Sequence, residues 1–313
     1  MPQPIVLGVV GDSAAGKTTL TRGLVRVLGE ENVTHLCTDD YHRFDRKQRS
    51  ERNITPLHPD CNYVDVIAQH LRHLRAGDPF LKPVYQHHDG TFGVPAYVEP
   101  ARFAVVEGLL GYHTGEMRDM YHVRVFLAPP EALRRTWKVQ RDCSRRGYTT
   151  DQVLAELDRR ETDSADYIRP QERYADIVVR YLPSGDTDQE HLDAELVLRA
   201  SLHHPDLSGL DDAGAGITMT ERGDEVLLSV AGTVRPETAA EIEEAIWERM
   251  HFASHLRPER LGEFTIGTEL HRSESLAVIQ VLILYHLLTA KASFALGGEG
   301  TRSTPTPPEV VRA

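Results

Sequence analysis

Gly11-Asp12-Ser13-Ala14-Ala15-Gly16-Lys17-Thr18 fits the phosphate-binding pattern G-x-x-x-x-G-K-[ST], and its flanks decide how this chain folds. Upstream, Ile5-Val6-Leu7-Gly8-Val9-Val10 is a short apolar run that reads as a buried strand. Downstream, residues 18–28 carry an amphipathic pattern closed by Gly29, which reads as a helix. A strand, a glycine-rich loop and a helix in that order let backbone N–H groups converge on phosphate oxygens at a helix N-terminus. In such a loop, residues 11–19 (Gly11, Asp12, Ser13, Ala14, Ala15, Gly16, Lys17, Thr18 and Thr19) are the candidate triphosphate cradle. Lys17 is expected to reach the outer phosphates, and the Thr18 hydroxyl to ligate Mg²⁺. The donor implied is ATP or a similar nucleotide.

The 313 residues suffice for one large domain, or for a main domain with a smaller one. The net charge of −12 argues against sequence-independent binding to nucleic acid, so any anionic substrate must meet local clusters of cations. No apolar stretch reads as long enough to span a bilayer, and the first strand begins almost at once, which leaves no room for a secretory signal. Cys37, Cys61 and Cys143 stand singly, a usage suited to a reducing cytoplasm.

Short apolar runs alternate with helical patterns over the first 200 or so residues, the mark of a parallel α/β sheet. Strands are expected at 33–37, 103–106, 123–127 and 177–179, a helix at 64–74, and one long arginine-rich helical stretch at 130–160. The expected class is α/β, a mostly parallel sheet of P-loop NTPase type flanked by helices, with a smaller α+β extension at the C-terminal side. Pro, Gly and Asp at 201–216 suggest a linker, so the expected partition is 1–205, 206–296 and a disordered tail at 297–313. Within the extension, 217–230 reads as a hairpin turning at Arg222-Gly223-Asp224, and 236–250 as a helix. Residues 276–290 read as a buried or interface helix interrupted by Gln280 and His286.

Ligands of open α/β sheets bind beyond the carboxyl ends of the strands. Asp39 and Asp40 end the second strand there, and Glu107 ends the third. Phosphoryl transfer to a hydroxyl needs a base and a carboxylate near the metal, and Asp39 and Glu107 suit those roles. Arg43, Arg46, Lys47, Arg49 and Arg52 follow directly, a run of cations suited to an acceptor that already carries a phosphate. Lys138, Arg141, Arg145, Arg146, Arg159 and Arg160 crowd the later helical stretch and suggest a lid over the triphosphate. Tyr85, His87 and His88 form a small polar cluster in an expected loop.

Together these residues resemble the phosphoribulokinases, within the larger phosphoribulokinase/uridine kinase family. The resemblance rests on 11–18, on Thr38-Asp39-Asp40-Tyr41-His42-Arg43-Phe44-Asp45-Arg46, and on Lys82-Pro83-Val84-Tyr85-Gln86-His87. It continues through Glu107-Gly108-Leu109, Trp137-Lys138-Val139-Gln140-Arg141-Asp142, Arg146-Gly147-Tyr148 and Tyr167-Ile168-Arg169-Pro170-Gln171, in order over about 180 residues. It implies transfer of the ATP γ-phosphate to the C1 hydroxyl of ribulose 5-phosphate, with Asp39 as base and Glu107 as the acid near Mg²⁺. It further implies that His42, Arg46, Tyr85 and His87 bind the sugar phosphate, that Lys138, Arg141 and Arg146 line the lid and phosphate sites, and that the chain forms a homo-oligomer, a dimer foremost. Plant-type members form a regulatory disulfide between a loop cysteine and one two residues before the base. Cys37 matches the second position, but Ala15 occupies the first, which implies that this thiol switch is missing. Leu110 stands where many phosphoribulokinases carry His. A uridine/cytidine-type kinase of the same fold and a non-catalytic nucleotide-binding regulator are the alternatives.

Overall fold

β1 (Ile5–Gly11) is buried along its whole length and leads through the phosphate loop into α1 (Lys17–Leu28). β2 (Val33–Cys37), α2 (Arg46–Glu51) and α3 (Val64–Ala76) follow. The short strands β3 (Phe80–Lys82), β4 (Tyr85–Gln86), β5 (Thr91–Phe92) and β6 (Ala96–Val98) precede β7 (Phe103–Gly108). Next come α4 (Gly115–Asp119), β8 (Val123–Leu127), α5 (Glu131–Arg146), α6 (Thr150–Asp163), β9 (Ile177–Pro183) and β10 (Leu192–Arg199). β11 (Ile217–Arg222), β12 (Glu225–Val230), α7 (Pro236–Glu248), β13 (Glu263–Ile266), β14 (Glu269–Arg272) and α8 (Glu274–Ala295) complete the order. This computed structural model describes residues 3–184, 191–207, 216–250, 256, 260–266 and 269–296. The tail expected at 297–313 and the linker residues 208–215 lie outside the described residues.

One eight-stranded sheet runs in the order β11-β12-β10-β9-β8-β1-β7-β2. β2, β7, β1, β8 and β9 are parallel, and β10, β12 and β11 continue antiparallel from β9. The partition expected at 206 therefore falls between β10 and β11, two strands that both pair with β12. Alternate residues of β1 enter opposite layers. Ile5, Leu7 and Val9 join the core layer of α1 and α8, whereas Val6 and Val10 join the layer of α3, Tyr112 and Tyr121. A central strand covered on both faces reads as the continuous apolar run seen in its sequence.

Two expectations change. The helical stretch at 130–160 is two helices, because Gly147 takes the left-handed conformation (φ 72°) that ends α5. Thr149 and Gln152 then form a capping box that starts α6. The expected loop around Tyr85 and His87 holds β3 to β6 instead, paired β3 with β6 and β4 with β5.

α8 is the buried helix expected at 276–290, extended to 22 residues. By length and composition alone it could cross a membrane, which the shorter expected stretch could not. Its apolar surface is covered instead by α1, β1, β8, β10 and α7 of the same chain, and so supplies no argument for a dimer. Of its two polar interruptions Gln280 is satisfied, whereas buried His286 is bonded through one ring nitrogen and its Nδ1 meets no partner among the described residues. Gln280 Oε1 accepts from Gly262 N–H at 2.8 Å, and His286 Nε2 lies 2.9 Å from His204 Nδ1.

Candidate active site

The register of three parallel strands assembles the site. Glu107 on β7 is level with Val9 on β1 and Cys37 on β2, so the phosphate loop, Glu107 and the turn after β2 share one sheet edge. Gly16 caps α1 in the left-handed region (φ 92°), the conformation that turns the loop into the helix N-terminus. Lys17 Nζ is folded back on the loop, donating to the carbonyls of Gly11 (2.9 Å) and Asp12 (2.8 Å). Burial lowers its pKa, against the opposing charges of Asp39, Glu107 and Asp12. Ala15 is buried and Thr19 exposed on the first turn of α1. Asp12 accepts from Ser13 N–H at 2.7 Å and from the Ser164 hydroxyl, while Arg134 donates to the Ser13 carbonyl at 3.0 Å. The cradle is thus tied to α5 and to the end of α6.

Glu107 is 5 % exposed and fully engaged. Its oxygens accept from Thr18 Oγ1 (3.2 Å) and Thr21 Oγ1 (3.1 Å), and His35 Nε2 lies at 3.3 Å. Burial raises its pKa, but His35, Lys17 and Thr21 outweigh that and hold it below the ordinary value. Thr18 and Glu107 are hard oxygen donors in mutual contact beside the phosphate loop. Mg²⁺ takes one or two carboxylates plus phosphate oxygens and waters, so this donor set fits it.

The turn Thr38–Tyr41 separates the two adjacent acids. Asp40 faces away, accepting from Tyr85 N–H (2.9 Å) and the Lys82 ammonium. Asp39 lines a cavity of about 350 Å³ together with His42, Arg46, Arg49, Tyr85, His87, Lys138, Arg141, Asp142 and Arg146. Burial would raise the Asp39 pKa, but His42, Lys17, His87 and Arg141 around it lower it overall. His42, Arg46, Tyr85, His87, Lys138, Arg141 and Arg146 therefore open on one cavity with Asp39 in its wall, whereas Arg43, Lys47 and Arg52 of the expected basic run do not line it.

The basic run after Asp39 divides by what each side chain contacts. Arg46 Nη2 donates to the His87 carbonyl at 2.6 Å, docking α2 on the β4–β5 turn. Arg49 is 8 % exposed, donates to the Phe44 carbonyl (2.7 Å) and the Tyr85 hydroxyl (2.5 Å), and stacks over the Tyr85 ring. Arg43 and Arg52 lie over Tyr63 and Phe44, and Lys47 is solvated beside Glu51. On α5, Asp142 gathers Lys138 (2.6 Å), Arg141 (2.9 Å) and Arg146 (3.5 Å) around one carboxylate. The sequence reading gave no role to Asp142 or to Tyr148, which also lines the cavity, and passed over Thr21 and His35 beside Glu107. The i, i+4 spacings of Lys138 with Asp142 and of Asp142 with Arg146 are the local signals for that cluster.

Comparison with known proteins follows the same lines. The model of the Phosphoribulokinase / Uridine kinase family matches residues 6–188. A phosphoribulokinase of Synechocystis sp. is 34% identical over 231 residues, 73% of this chain and 70% of that protein. A chloroplastic phosphoribulokinase of Mesembryanthemum crystallinum is 30% identical over 251 residues, 74% of this chain and 63% of its own length. A uridine kinase of Leuconostoc citreum is 32% identical over 186 residues, 56% of this chain and 87% of that protein. The solved structure of a phosphoribulokinase from Rhodobacter spheroides superposes with a TM-score of 0.60 at 18% identity. It covers 80% of this chain and 99% of its own, a likeness of fold.

Proposed function

This chain belongs to the phosphoribulokinase/uridine kinase family, and we propose that it transfers the γ-phosphate of ATP to the C1 hydroxyl of ribulose 5-phosphate. The observation that carries the reading is the charge of the acceptor cavity. Seven Lys and Arg side chains line it against three carboxylates, one of them the candidate base. An acceptor with its own phosphate uses that surplus, whereas an uncharged nucleoside has no group to meet it.

In this reading, ATP enters along the phosphate loop, and Lys17 leaves the Gly11 and Asp12 carbonyls for the outer phosphates. Thr18 and Glu107 would hold Mg²⁺, whose chemistry is to neutralise charge on the phosphate oxygens. Asp39, ionised at neutral pH because cations surround it, takes the proton of the C1 hydroxyl as that oxygen attacks phosphorus. Arg46, with Tyr85 and His87, orients the sugar phosphate. Lys138, Arg141 and Arg146, arrayed on Asp142, close over the transferring group, balance its charge and exclude water. A homodimer in the cytoplasm, bound to neither nucleic acid nor membrane, is the setting we infer.

ADP release is measured with ribulose 5-phosphate and with uridine as acceptors. Turnover with the sugar phosphate alone is expected. Turnover with uridine alone overturns the reading.

A further inference from the structure

Asn62 belongs to none of the motifs that point to the site. It follows the short turn Pro59–Cys61 and faces His42 across an isolated antiparallel bridge. The residue is 4 % exposed and its side-chain amide is fully committed. Nδ2 donates to the carbonyls of Pro56 (3.0 Å) and His58 (2.9 Å). Carbonyls only accept, so flipping the amide would set Oδ1 against both of them. Oδ1 is therefore the atom that meets His42 Nδ1, at 2.7 Å. An amide oxygen also only accepts, so the proton of a neutral His42 ring sits on Nδ1. Nε2 is then a bare acceptor. His42 lines the cavity that holds Asp39, and Nε2 meets no hydrogen-bond partner among the described residues.

We propose that Asn62 is a positioning residue that locks His42 in the Nδ1–H tautomer, so that His42 Nε2 accepts a hydrogen bond from a hydroxyl of the acceptor sugar. This rests on the acceptor reading above and moves His42 from the sugar phosphate to a sugar hydroxyl. A bare imidazole nitrogen repels phosphate oxygens, which carry lone pairs of their own, whereas a hydroxyl supplies the missing donor. An acceptor lacking that hydroxyl would leave Nε2 desolvated and unpaired, which is how a polar site rejects analogues.

The surroundings keep the ring neutral. Burial is the chief cause that pushes its pKa down, to about 4. Arg49 on α2 and His87 beyond β4 act the same way, while Asp39 and the Asn62 bond oppose them. The Tyr85 ring packs edge-on at 4.8 Å.

The test begins with the full chain at neutral pH. Long-range ¹H–¹⁵N spectra of the His42 ring, assigned with His42→Gln, report which nitrogen carries the proton. Protonated Nδ1 with bare Nε2 is expected, and an Nε2–H ring or an imidazolium overturns the proposal. Asn62→Asp gives the second readout. A carboxylate facing Nδ1–H favours the imidazolium, which cannot accept. The ratio of variant to parent KM for ribulose 5-phosphate then rises about 3- to 10-fold as the pH falls from mildly alkaline to mildly acid. KM for ATP stays unchanged. A flat ratio, or an equal rise in KM for ATP, overturns the proposal. If that variant does not fold, the parent ring spectrum decides alone. A parent inactive on ribulose 5-phosphate overturns the acceptor reading instead, and the ring spectrum reports on the tautomer regardless.

Discussion

Asn in place of Asp39 removes one charge and one proton acceptor at nearly constant shape, and the cavity around it sets what each loss should do. A positioned general base contributes about 10²–10⁴ in rate. At about 1.4 kcal/mol per tenfold, that is about 3–5 kcal/mol of barrier. The charge acts in the opposite sense on binding. Among its neighbours Asp39 is the counterweight to the cations Lys17 and Arg141. Without it the cavity becomes more positive, and neither ATP nor a sugar phosphate should bind less well. Asp39→Asn is therefore expected to lower kcat about 10³-fold, with both KM values unchanged or lower. Coupled ADP-release kinetics measure the first, and calorimetric titration with ATP measures the second. A kcat within tenfold of the parent would refute Asp39 as the base. KM values rising while kcat holds would make it a binding residue instead.

Burial, with Arg141 and Arg160, pushes Lys138 down to about 7 even though Asp142 opposes them. Its charge is present below that pH and lost above it, so kcat/KM for ribulose 5-phosphate should fall as the pH rises through about 7. Lys138→Met should remove that limb from the pH profile. Burial and the repulsion of Asp39 and Glu107 push the Cys37 thiol well above its usual pKa. Iodoacetamide should therefore leave it largely unmodified at neutral pH, and activity should be equal after oxidant and after dithiol; reversible loss on oxidation would contradict this. A Cβ on Gly23 would lie 1.9 Å from Gln280 Nε2. Overpacking of about 1–3 kcal/mol outweighs the roughly 1 kcal/mol that Ala gains in a helix. Gly23→Ala should thus lower the denaturant midpoint, with part recovered in the double variant with Gln280→Ala, and a more stable single variant would be inconsistent with the packing of α8 on α1.

Part of this site is legible in the sequence because it is local. A phosphate loop needs consecutive backbone groups, and residues 11–18 supply them in order. Asp39 and Glu107 were found because a parallel sheet aligns its strand ends, so any acid just after an apolar run reaches the same edge. Arg46, Arg49 and Lys47 look alike in one dimension. Only packing sends Arg49 under Tyr85, Arg46 to the His87 carbonyl and Lys47 to solvent. Asp40 was likewise inseparable from Asp39 until Lys82 and the Tyr85 amide took it out of the cavity. Thr149 and Gln152 are a readable capping box, but the arginine pattern on either side hid the break between α5 and α6.

By itself, the sequence determined the phosphate loop, the α/β class, the parallel strands and the family, because each depends on residue order over one strand–loop–helix unit or on motifs in series. The tertiary structure decided what contacts between distant residues decide. β10, β12 and β11 extend the main sheet, because backbone pairing depends on which edge is open and not on side-chain pattern. α8 is a core helix, because 22 mostly apolar residues read alike for a membrane, a partner or a core until α1, β1 and β8 are seen against them. The tautomer of His42 depends on an amide 20 residues away, whose orientation two further carbonyls dictate.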